Sequence, residues 1–144
     1  MRDLVTFGLA FVAYLGLCAD AVLRLRGRGK RAHTAGVAVL ALVHVALVWG
    51  WRHGWDPALA LAGGVAPFAL FHVALAVMVV AALVPRPWAG RALAVAFPIV
   101  TAGAVGAVFR RPDVAGWRWP VVLAAAGTLV ALVLAWRARG RPAP

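Results

Sequence analysis

The chain has 144 residues, of which 65% are hydrophobic and 13% charged, about half the charged share of an ordinary soluble domain. A soluble core of this length would leave much apolar surface uncovered, so lipid is the solvent the composition requires. Lysine and arginine outnumber aspartate and glutamate by 15 to 4. These cations sit between apolar runs, which reads as a positive-inside pattern with headgroup contacts and argues against nucleic acid as a partner.

A hydrocarbon core takes roughly 20 residues of apolar helix. The first run, 4–23, ends at Arg24-Leu-Arg-Gly-Arg-Gly-Lys-Arg31. Ala19-Asp-Ala21 has the small residues of a signal-peptide cleavage site, but the cations just beyond it resist translocation, so a retained helix is expected. The second run, 34–51, closes in the polar turn Arg52-His-Gly-Trp-Asp-Pro57. The third, 58–84, is long and is interrupted by Gly63, Gly64 and Pro67. A straight span and a bent or interfacial start are both open there, because proline removes a backbone donor and kinks a helix. The fourth run, 89–109, contains Pro98, and the fifth, 120–136, leads into the basic tail Arg137-Ala-Arg-Gly-Arg141. The predicted fold is all-α, a single polytopic membrane helix bundle of about five transmembrane helices.

Charge placement orients the bundle. With the first loop inside, the inner segments hold Arg24, Arg26, Arg28, Lys30, Arg31, Arg86, Arg91, Arg137, Arg139 and Arg141, and the outer ones only Arg2, Arg52, Arg110, Arg111 and Arg118. The positive-inside rule then places the N-terminus outside and the C-terminus in the cytoplasm, with the chain integral to the cytoplasmic (inner) membrane. Trp49, Trp51, Trp55, Trp88, Trp117, Trp119 and Trp136 all fall at predicted helix ends, as an interfacial aromatic belt requires.

Two side chains carry most of the chemical information. His44 lies ten residues from the inner start of its run, about 15 Å along a helix. His72 lies twelve from the inner end of its own, about 18 Å by the same rise. Polar side chains at such depth are costly and mark function by default. Similar depth on antiparallel neighbours permits one object shared between the rings. Axial ligation of a haem b iron by both imidazoles is the sharpest reading, with His44 and His72 as cofactor and metal ligands. Hydrogen bonding between helices is the second, and a proton or quinone site the third. His33 and His53, at the two boundaries of the second helix, read as solvated interfacial residues. His53 with Asp56 is too few ligands for a separate metal site.

Asp20 and Arg24 are four apart and can meet on one helical face, as a boundary ion pair or as a proton-relay acid with Tyr14 and Cys18 nearby. Cys18, the single cysteine, rules out an internal disulfide and reads as a small hydrophobe. Thr101 and Thr128 can bond back to their own helix carbonyls. The chain contains no serine, no paired carboxylates in one run and no glycine-rich phosphate loop, so hydrolytic chemistry and independent catalysis are not expected.

Trp49-Gly-Trp51-Arg-His-Gly-Trp-Asp-Pro57 partly resembles the tryptophan-rich haem-handling loops of cytochrome c assembly membrane proteins. Interfacial enrichment of tryptophan accounts for the same stretch. The functional expectation is a small membrane subunit or accessory protein of a redox or respiratory assembly, holding one haem b between His44 and His72. Its partners would be the lipid bilayer, other membrane subunits and a quinone. The alternatives are a structural or assembly protein without a cofactor and an oligomeric proton-linked transporter.

Overall fold

The computed structural model describes residues 2–139, all of them in helices, turns and short connections. Helix α1 covers Arg2–Leu25, α2 Arg31–His53, α3 Pro57–Leu61, α4 Val65–Leu83, α5 Arg86–Arg110 and α6 Arg118–Arg139, with a 3-10 turn over Pro112–Trp117. Five of these helices are long and apolar enough to cross a membrane, the last counted with its 3-10 turn. The all-α helical bundle expected from the composition is the fold. Large apolar side chains such as Leu123, Leu129, Val130 and Leu134 on α6 are exposed, as on a bundle whose outer surface meets lipid.

The helix ends follow from local chemistry. Asp3 sits in the first turn of α1 and Arg24 in its last, each at the end of the helix dipole it complements. Beyond Leu25, Gly27 takes φ 72°, and the amides of Gly27 and Arg28 bond the carbonyls of Arg24 and Leu23 at 2.9 and 2.8 Å. This is a Schellman closure, which favours glycine at the left-handed position. At the other end of α2, Gly54 and Trp55 are both left-handed, with φ 56° and 62°. Asp56 then caps α3, its Oδ1 accepting from the Ala58 amide at 2.8 Å, with Pro57 as the first helical residue.

The long third run divides. Residues 57–61 form the short α3, Gly64 turns the chain at φ 104°, and the spanning helix starts at Val65. Of the two readings left open for this run, the straight span is not the one adopted: the run is broken before Val65. The fourth and fifth runs appear as α5 and α6, each longer than expected, because α5 starts at Arg86 and α6 at Arg118. Arg141 of the basic tail lies outside the described residues.

Helix α1 packs against α2, α5 and α6, while α4 packs against α2 and α5. Small residues set these approaches. A Cβ on Gly16 would lie 2.7 Å from Cγ2 of Val37, so α1 and α2 meet where only hydrogen fits. The core is densest towards the end of the bundle that carries the basic loop. Leu17, Cys18, Val37, Met78, Ala81, Leu93, Ala96 and Phe97 are buried there. Towards the opposite end α1, α4 and α5 separate around a cavity.

Candidate functional site

The cavity has a volume of about 770 Å³ and is bounded by α1, α2, α4, α5 and the start of α6. That size falls within the usual range for small-molecule sites. Its walls are overwhelmingly apolar. Helix α4 contributes the face through Pro67, Phe71, Ala74, Leu75 and Met78, spaced three and four apart as one face of an α-helix requires. Helix α5 contributes Pro98, Val100 and Gly103. Pro98 has no N–H to give, so one rung of the α5 ladder is missing beside the cavity. A Cβ on Gly103 would meet nothing within 4 Å.

Among the described residues, three polar side chains line this space: Tyr14, His44 and Trp117. The Tyr14 hydroxyl donates to Thr101 Oγ1 at 3.1 Å, joining α1 to α5. Trp117 ends the 3-10 turn and packs on Phe11, ring centroids 5.2 Å apart. His44 Nδ1 lies 2.9 Å from the backbone carbonyl oxygen of Thr6. A carbonyl can only accept, so Nδ1 carries the hydrogen. His44 Nε2 has no hydrogen-bond partner among the described residues, and the ring that carries it lines the cavity.

His72 stands differently. Its Nδ1 lies 2.8 Å from the carbonyl oxygen of Phe68, one turn back on its own helix. Its Nε2 accepts from the Trp49 indole N–H at 3.3 Å. Both nitrogens are engaged, and the ring sits among Phe68, Phe71 and Trp49 rather than on the cavity wall. The two rings therefore do not present free nitrogens to one shared space in this structure. One helical residue turns the side chain by about 100°, so Phe71 faces the cavity and His72 faces α2. The donor set does not fit a haem held axially from both sides: one ring offers a free nitrogen and the other does not.

The remaining polar groups tie helices together. Asp20 is fully buried, with 0% relative exposure. Its Oδ2 accepts from Thr34 Oγ1 at 2.7 Å and from Arg24 Nε at 3.2 Å, and Arg24 also donates to Thr34. The ion pair with Arg24 was legible from spacing, whereas Thr34 on α2 was not. Its only signal is a hydroxyl in the first turn of an otherwise apolar helix. His33, half-buried, reaches the Gly16 carbonyl at 3.2 Å and so bonds α1. Thr128 bonds back to Ala124 as expected, while Thr101 serves Tyr14 instead. Among the described residues no three metal-ligating side chains cluster.

Comparison with known proteins yields no match to a family model, to a curated protein or to a solved structure.

Proposed function

We propose that this chain is a small integral-membrane subunit or accessory protein of a redox assembly, and that its own contribution is to bind an apolar small molecule of the quinone class beside His44. It would sit in the cytoplasmic membrane with the N-terminus outside and the basic loop between α1 and α2 inside. One observation carries the reading: a half-open apolar cleft within a lipid-facing bundle has on its wall an imidazole nitrogen, Nε2 of His44, with no hydrogen-bond partner among the described residues. An apolar cleft with a few polar groups on its wall is the usual form of a small-molecule site, and the open acceptor on His44 is a point that would orient a ligand there. Aromatic walls at Phe7, Phe11, Phe71 and Trp117 offer faces and edges to a flat ring. The connections between the described spans are short, so electrons would reach such a ligand through a partner subunit.

Haem b remains the competing occupant named by sequence, and the engaged nitrogens of His72 weigh against it. The test is direct. Protein purified in a mild detergent should show no Soret band of a haem ligated by two histidines. Solvent extraction and mass spectrometry should recover one apolar ring compound per chain, and Gly103→Leu, which puts a bulky side chain on the cavity wall, should lose it. A stoichiometric Soret band abolished by either His44→Ala or His72→Ala would overturn the proposal in favour of haem.

A further inference from the structure

The hydrogen-bonding state of His44 restricts the chemistry of the ligand further than cavity shape does. We infer that the site selects a molecule with a ring hydroxyl, a hydroquinone or phenol, over its carbonyl or ether counterpart, because His44 can offer that head group only a lone pair. This deepens the proposed function and rests on it.

The Thr6 carbonyl 2.9 Å from Nδ1 fixes the hydrogen on that nitrogen. In the neutral ring the other nitrogen is then an acceptor. Thr6 lies in the body of α1, where its own side chain is turned to the Arg2 carbonyl at 2.7 Å, so the backbone oxygen facing His44 is fixed by the helix itself. The Tyr14 hydroxyl has already given its hydrogen to Thr101, so it too presents oxygen lone pairs. Among the described residues the remaining donor on the wall is the Trp117 indole N–H, on a different element, at the end of the 3-10 turn. A quinone carbonyl placed at His44 would set two acceptors against each other. A hydroquinone hydroxyl donates to Nε2 and still accepts through its oxygen. The free-energy difference is one hydrogen bond made against one left unmade on an apolar wall, which corresponds to about a tenfold preference.

The experiment uses the full chain in nanodiscs under anaerobic conditions. Three ligands with the same short alkyl tail are titrated: a hydroquinone, the corresponding quinone and the hydroquinone dimethyl ether. The expected result is that the hydroquinone binds about tenfold tighter than the other two. In His44→Leu that preference should vanish while ether binding persists. In His44→Gln, whose amide offers a donor as well as an acceptor, the gap should narrow. Equal affinity for all three in the wild type would overturn this inference and leave the proposed function standing. Binding of none would overturn the proposed function itself. A preference that persists in His44→Leu, with the fold verified by thermal melting, would overturn the assignment to His44.

Discussion

Asp20 and His72 are both polar side chains inside an apolar bundle, and their surroundings give them opposite sensitivities. The Asp20 carboxylate is buried against Arg24 and Thr34. Removing one partner of a buried ion pair leaves the other charge uncompensated, which costs about 3–5 kcal/mol. Asp20→Ala should therefore lower the unfolding midpoint of the detergent-solubilised protein strongly. Asp20→Asn, which retains an oxygen for Thr34 but loses the charge, should lower it less; an equal effect would show that the acceptor for Thr34 adds nothing to the ion pair. His72→Phe removes only the acceptor for Trp49 and a bond to its own helix. The expected cost is about 1–3 kcal/mol for the orphaned indole N–H, with ligand binding unchanged. A His72→Phe variant that folds but loses its ligand would place His72 in the site after all. The depth of both histidines was readable from residue spacing, because helical rise is constant. Their facing was not. Helix α4 is apolar on every side, so nothing in its sequence marks which face turns inward.

At the scale of elements, glycine decides where spans begin and how closely they meet. Gly64 holds φ 104°, a conformation nearly closed to other residues, so Gly64→Ala should cost about 1–3 kcal/mol. Gly63→Ala, with nothing within 4 Å of the added carbon, should be tolerated, and equal melting of the two variants would contradict the assigned turn. At Gly16 the added carbon would meet Val37 at 2.7 Å. Gly16→Ala should destabilise by about 1–3 kcal/mol through overpacking, whereas Gly8→Ala, in open space, should not. The five spans were legible because length and hydropathy suffice to find them. The division of the third run was legible only as an ambiguity, since Gly63, Gly64 and Pro67 permit a bend without requiring one. The 3-10 turn at Pro112–Trp117, which brings Trp117 to the cavity, went unrecognised because its residues read as a polar boundary.

At the scale of the whole molecule, charge and packing divide the bundle into two ends. The end with the basic loop is tightly packed, and Arg31 there donates to the carbonyls of Ala82 and Leu83, closing α4 at 2.8 and 2.9 Å. The opposite end holds the cavity, the Trp49–Trp55 stack with ring centroids 6.4 Å apart, and the Arg52–Asp113 pair at 3.1 Å. The positive-inside reading places the basic end in the cytoplasm. In a Cys18→Ala background, a membrane-impermeant maleimide applied to intact cells should label Ala58→Cys and spare Arg28→Cys, and the reverse pattern would invert the proposed orientation. Helix count and charge asymmetry were visible in sequence. The cavity was not, since it arises from how α1, α4 and α5 diverge, and that depends on contacts between residues far apart in the chain. The most direct test of the central claim is photolabelling in native membranes with a photoreactive short-chain quinone, with peptide mapping and competition by the unlabelled compound. Competed label should fall on Phe7–Leu17 of α1, Leu70–Met78 of α4 and Pro98–Val108 of α5, and should disappear in Gly103→Leu; label that is not competed, or is confined to the exposed face of α6 at Leu123, Leu129 and Val130, would contradict it.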